Sequence, residues 1–104
     1  MRIKICGITR LEDALLCEKY GADSIGYIFY KASKRYIAPE NAGKISIKLS
    51  PFISKVGVFV NESVDNINSI SKIAGLNAVQ LHGEETPEFI RKLNLPVIKA
   101  FRVK

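Results

Sequence analysis

The sequence predicts an α/β fold in which parallel strands alternate with helices. Short runs rich in Ile, Val, Tyr and Phe are separated by runs whose apolar residues recur at helical spacing. Strand and helix follow each other strictly, at about 23 residues per unit. No linker rich in Pro, Gly or Ser interrupts the series, so residues 1–104 are expected to form one domain. Such alternation implies a parallel sheet joined by right-handed crossovers.

The first strand is expected over Arg2–Ile8. Thr9-Arg10-Leu11-Glu12 then has the form of a capping box, in which the Thr hydroxyl and the Glu carboxylate satisfy the first free amides of a helix. Leu11, Ala14 and Leu15 supply that helix's apolar stripe, and Gly21 can supply its left-handed stop. A second strand, Ser24–Tyr30, leads into a polar loop, Lys31–Ile37. Pro39 suits the first position of a second helix, which carries Ala42, Ile45 and Leu49 on one face and stops before Pro51. The third strand is Ile53–Val60, and the third helix, Ser63–Ala74, places Val64, Ile67, Ile70 and Ala74 on one face ahead of Gly75. Ala78–Leu81 forms the fourth strand. Thr86-Pro87 opens the fourth helix, with Phe89, Ile90 and Leu93, and Pro96–Val103 is the fifth strand.

Two architectures accept this order: an open doubly wound sheet of the flavodoxin-like kind, or part of a (β/α)₈ barrel. The open sheet suits the length. Its strands, however, are covered on both faces and should be apolar nearly throughout. The first strand instead alternates, with Ile3 and Ile5 on one face and Arg2, Lys4 and Cys6 on the other; the fourth sets Val79 and Leu81 against Gln80 and His82. Polar faces of this kind suit the upper interior of a barrel and favour it. Eight units need roughly 200 residues, so this chain would supply four and a half, with its first and fifth strands as open edges.

Composition narrows the function. The chain is 47% apolar and 25% charged, which excludes disorder and permits a small core. The two cysteines lie eleven residues apart and there is one histidine, so neither a disulfide scaffold nor a zinc site is expected. No apolar run is long enough to span a membrane, and the start of the chain has no signal-peptide character, so a cytoplasmic location is expected. The net charge of +6 is scattered, with one cluster at Lys31, Lys34 and Arg35. That favours a small anionic ligand over nucleic acid.

Candidate functional residues gather where each strand hands over to its helix, the end at which both architectures bind ligands. Cys6, beside Gly7, is a base or nucleophile when neighbouring cations favour its thiolate, and Lys4 and Arg35 are the available sources; the plain alternative is a buried small hydrophobe. Arg35 offers a fork for a carboxylate or phosphate, against a solvated loop charge. His82 could titrate or bind an anion, against simple bonding to backbone. Lys34, Asn61, Gln80 and Gly83 complete the set, while Cys17 reads as packing. Glu84 and Glu85 are expected just ahead of the fourth helix, where negative charge complements its dipole. Glycine-rich phosphate fingerprints are absent.

Taken together, Lys4-Ile5-Cys6-Gly7, Ser33-Lys34-Arg35-Tyr36, Gly57-Val58-Phe59-Val60-Asn61 and Gln80-Leu81-His82-Gly83 closely resemble the N-terminal half of the phosphoribosylanthranilate isomerase family of tryptophan biosynthesis. The resemblance covers essentially the whole chain. It implies a (β/α)₈-barrel fold and an Amadori rearrangement of N-(5-phosphoribosyl)anthranilate, a phosphorylated small molecule, to 1-(2-carboxyphenylamino)-1-deoxyribulose 5-phosphate, without metal or organic cofactor. It makes Cys6 the general base and Arg35 the holder of the anthranilate carboxylate, and puts Gln80 and His82 in the polar wall of the site. The family's general acid lies on the sixth strand and its phosphate cradle after the seventh and eighth. The chain is therefore expected to be a fragment or one half of a split enzyme, completed by a C-terminal half-barrel or a second copy. A non-catalytic anion-binding or assembly module is the competing expectation. Ala38 stands where a capping Ser would be expected.

Overall fold

The computed structural model describes residues 3–99. Its elements are β1 (Lys4–Cys6), α1 (Leu11–Lys19), β2 (Ser24–Ile28), α2 (Pro39–Lys48), β3 (Ser54–Phe59), α3 (Val64–Ala74), β4 (Ala78–Leu81), α4 (Pro87–Arg91) and β5 (Val97–Lys99). All five strands are parallel and lie in the order β1-β2-β3-β4-β5. A doubly wound sheet reverses its direction of growth at a switch point; this sheet does not, so its like-handed crossovers leave every helix on one face. The result is the wall of a (β/α)₈ barrel, four and a half units long, with β1 and β5 at its edges.

The two faces of the wall differ. Ile25, Tyr27, Phe59, Val79 and Leu81 turn toward the helices and are at most 1% exposed, packed with Ala14, Ala42, Ile45 and Ile67 from α1, α2 and α3. Paired residues share a face, so Cys6, Gly26, Val56 and Ala78 line the other side, as do Ile28, Val58, Gln80 and Ile98. Val56 and Val58 are buried there, outside the helix-side cluster. The inner face is thus apolar at its centre and polar toward β1 and the end of β4.

Helix boundaries follow local chemistry with one exception. Ser63 caps α3 by accepting from the Asn66 amide at 3.2 Å, and Thr86 caps α4 by accepting from the Phe89 amide at 3.2 Å. Pro39 opens α2, whose cap position, Ala38, contributes no side chain. The capping box expected at Thr9 does not form. The helix begins one residue late, Arg10 occupies the cap without a side-chain bond, and the Glu12 carboxylate takes the Arg10 guanidinium instead, at 3.0 Å. Leu15 is likewise not in the buried stripe. It is 40% exposed, because α1 meets the core through Leu11, Ala14 and Cys17. The helix ends as expected at Gly21: its amide bonds the Glu18 carbonyl while the Ala22 amide bonds that of Cys17.

The first three strands are shorter than expected, and the fourth runs over Ala78–Leu81 as expected. β2 and β3 end at Ile28 and Phe59, and β1 at Cys6, each by one or two residues, because the chain turns at the site loops. Arg2 at the expected start of the first strand, and residues 100–103 of the fifth, lie outside the described residues. Ile3 and Ile5 turn toward α1 as the alternation requires, yet remain 44% and 39% exposed on the edge strand, in a hollow with Leu16, Cys17 and Tyr20.

Candidate functional site

The C-terminal ends of the strands bring together the residues singled out above. β1 delivers Cys6 and then Gly7, whose backbone takes φ +85°, a conformation that glycine reaches without strain. Cys6 is exposed, and its carbonyl faces Arg35 in the loop after β2. Arg35 comes from that loop. Its Nη1 lies 3.5 Å from the Cys6 carbonyl oxygen, and its stem runs so close to Gly7 that a Cβ there would meet Cδ at 2.7 Å. The Arg35 amide is held by the Ser33 hydroxyl at 3.2 Å. Cys6 and Arg35 are thus neighbours at one rim, in contact through the Cys6 carbonyl. Lys34, from the same loop, is exposed.

The other pair comes from β4. Gln80 lies on the inner face, and His82 follows it out of the strand; Gln80 Nε2 and His82 Nε2 are 2.6 Å apart. Lys4 reaches the Gln80 end of this pair. Its Nζ donates to Gln80 Oε1 across the inner face from β1. It can cross because β2 carries Gly26 at that point: a Cβ on Gly26 would stand 3.0 Å from Cys6 Sγ and 3.4 Å from Lys4 Cε. A Cβ there would crowd the Cys6 thiol and touch the Lys4 stem, and a larger side chain would have to displace them.

A second network braces the rim from outside the inner face. Asn61, two residues past the end of β3, takes φ 50°, a left-handed conformation that Asn tolerates. Its Oδ1 accepts from the Glu84 amide at 2.9 Å, and its own amide donates to Glu85 Oε2 at 2.9 Å. Lys99 of β5 donates to Glu85 Oε1 at 2.8 Å and to the Gly83 carbonyl at 2.5 Å. The Glu85 side chain is 2% exposed and that of Lys99 21%. Burial pushes the Glu85 carboxyl up, but the Lys99 ammonium and the Asn61 amide outweigh it and hold the carboxyl below its ordinary value. Glu85 does stand just ahead of α4, as expected, but its carboxylate is buried against Lys99 and the Asn61 amide. It is the buried hub that ties the loops after β3 and β4 to β5. Asn61 likewise serves as a loop brace. The signal available in the sequence was Lys99, a cation inside an apolar strand.

The N-terminal end has its own polar network, distant from these groups. Lys55, buried in β3, donates to the Ser50 carbonyl at 3.0 Å, and the Ser50 amide donates to Glu18 at 2.7 Å. Burial pulls the Lys55 ammonium below its ordinary value, and Glu18 opposes this. On the inner face, a hollow of about 510 Å³ opens beside Lys4, Ser24, Ser54 and Ala78, at the strand starts. Among the described residues, no helix is long and apolar enough to cross a membrane.

Comparisons with known proteins agree with this geometry. Residues 3–104 match the family model described as N-(5′-phosphoribosyl)anthranilate (PRA) isomerase. The N-(5′-phosphoribosyl)anthranilate isomerase of Thermotoga neapolitana is 57% identical over 102 residues, which cover 96% of this chain and 50% of that protein. The crystal structure of phosphoribosyl anthranilate isomerase from Thermus thermophilus superposes with a TM-score of 0.97 at 47% identity, covering 100% of this chain and 53% of the other. A phosphoribosyl anthranilate isomerase solved in complex with reduced 1-(o-carboxyphenylamino)-1-deoxyribulose 5-phosphate gives 0.93 at 54% identity, over 95% of this chain and 52% of the other. The chain spans about half the length of the relatives it matches.

Proposed function

The chain belongs to the N-(5′-phosphoribosyl)anthranilate isomerase family, and from that premise we propose that it is the base-carrying half of such an isomerase in tryptophan biosynthesis. The observation that carries this reading is that the end of β1 sets an exposed Cys6 beside Arg35, whose guanidinium lies 3.5 Å from the Cys6 carbonyl oxygen. The reaction is an Amadori rearrangement of N-(5-phosphoribosyl)anthranilate. A carboxylic acid protonates the furanose ring oxygen and the sugar opens to a Schiff base. Cys6, as the thiolate, then removes the proton from the neighbouring sugar carbon, and the enolamine so formed relaxes to the ketone. These are proton transfers, for which no metal or organic cofactor is required.

Arg35 binds the anthranilate carboxylate in this scheme. A planar fork matches a carboxylate with two parallel bonds, and contact with the Cys6 carbonyl places that fork beside the base. Gln80 and His82 form the polar wall on the far side of Gly26. The acid and the phosphate-binding groups come from a second half-barrel, either a C-terminal half or another copy of the chain, docked against the edges β1 and β5. Residues 1–104 act as one domain in that assembly.

Turnover of phosphoribosylanthranilate by the purified chain, followed by loss of its fluorescence, tests the proposal. The chain is assayed alone and with the separately expressed C-terminal half of a family member, each with Cys6→Ala as control. Activity in either mixture that disappears with Cys6→Ala is the expected result. Activity indifferent to Cys6→Ala removes Cys6 as the base. Absence of activity in both, with ligand binding retained, favours a non-catalytic anion-binding module instead.

A further inference from the structure

We propose that Lys4 and Gln80 form a one-way hydrogen-bond relay that fixes the tautomer of His82, leaving the ring with its proton on Nδ1. The Lys4 ammonium has donors only, and it bonds Gln80 Oε1. That contact orients the Gln80 amide. The reverse orientation would set an NH₂ group against an ammonium, donor facing donor. The other end of the amide, Nε2, is then also a donor, and it lies 2.6 Å from His82 Nε2. Two donors cannot share that separation, so His82 Nε2 must present its lone pair. A neutral imidazole has one proton, which is left on Nδ1.

The relay has a built path. Lys4 starts on β1 and reaches β4, two strands beyond its neighbour, over the space that Gly26 leaves open. Its stem and the Cys6 thiol both border that space. The outcome assigns His82 a role: it offers an N–H to an oxygen acceptor, and its Nε2 is not free to take a proton from a ligand. For the reading given under the proposed function, on which this part rests, the acceptor is an oxygen of the anionic sugar-derived ligand.

His82 is the only histidine of the chain, so its ring nitrogens can be read without assignment. Long-range proton–nitrogen correlation on the uniformly ¹⁵N-labelled chain, at a pH where the ring is neutral, distinguishes the two tautomers. The expected wild-type spectrum shows a protonated Nδ1 and an unprotonated Nε2. The opposite pattern, or an even mixture, overturns the relay. Gln80→Glu replaces the donor facing the ring by an acceptor, and the proton should move to Nε2. Lys4→Met removes the first link and should give a mixture. A Gln80→Glu ring that keeps its proton on Nδ1 also overturns the proposal. The readout is independent of turnover. The expected tautomers in a chain that never shows isomerase activity would leave the relay standing and remove the proposed function. Isomerase activity with the wrong tautomer would do the reverse.

Discussion

Replacing Glu85 by glutamine keeps the shape of the side chain and removes one charge. Three things change at once. The Lys99 ammonium loses its counter-charge at 2.8 Å, the Asn61 amide at 2.9 Å meets either a weaker acceptor or an NH₂ group, and the bridge from β3 through the loop after β4 to β5 is weakened. Breaking one partner of a buried pair costs about 3–5 kcal/mol. The low end applies, because Lys99 is 21% exposed and keeps the Gly83 carbonyl as an acceptor. With a urea dependence of about 1.5 kcal/mol per M, a loss of about 3 kcal/mol lowers the unfolding midpoint by about 2 M. The sign with pH follows from the depressed carboxyl. Its contribution is fully present above the unfolded carboxylate value of about 4.3, and is lost as pH falls through the folded value. Urea unfolding of both proteins, followed by circular dichroism at about pH 7 and about pH 3, should therefore show a large gap that narrows on acidification. A gap equally wide at both pH values, or one below about 0.5 kcal/mol at neutral pH, would refute the account of Glu85 as a charged hub.

The caps give a contrast within one protein: Ser63→Ala should cost about 1 kcal/mol in urea unfolding, and Thr9→Ala less than about 0.5 kcal/mol, since Ser63 accepts an amide at its helix start and Thr9 does not. Gly26→Val forces the stems of Lys4 and Cys6 apart and should lower the melting temperature by about 10 °C; an unchanged melt would contradict the close approach. Tyr27→Phe removes the bond between the buried hydroxyl and Ser46 Oγ at 2.9 Å, at a cost of about 1 kcal/mol, and a double-mutant cycle with Ser46→Ala should show the two losses to be less than additive.

The order of elements was readable because strand and helix periods differ and Pro39, Thr86-Pro87 and Gly75 punctuate them. The alternation in β1 also pointed to the correct architecture: Lys4 and Cys6 do share the inner face. The failures have a common cause. Thr9 and Glu12 satisfy a local pattern, but Arg10 competes for the same carboxylate and the helix starts one residue later. Glu85 looked like one of two charges at a helix start because its partner, Lys99, is fourteen residues away and becomes a neighbour only when β5 pairs with β4. Lys4 was suspected as a charge near Cys6, but its bond to Gln80 depends on a gap at Gly26 that only the sheet register creates. The candidate residues were legible one at a time; their pairing was not.

The sequential strand order bears on how the chain folds. Paired residues are 20 apart from β1 to β2 (Lys4 with Ser24), 30 from β2 to β3 (Ser24 with Ser54), 22 from β3 to β4 (Val56 with Ala78) and 18 from β4 to β5 (Val79 with Val97). Loop-closure entropy grows only with the logarithm of length, so the longest and shortest of these closures differ by about 0.5 kcal/mol. No pairing is singled out as the slow one on that account. Parallel sheets are usually slow to form because their partners are remote in the chain. Here each strand, as it leaves the ribosome, meets a partner synthesised one crossover earlier.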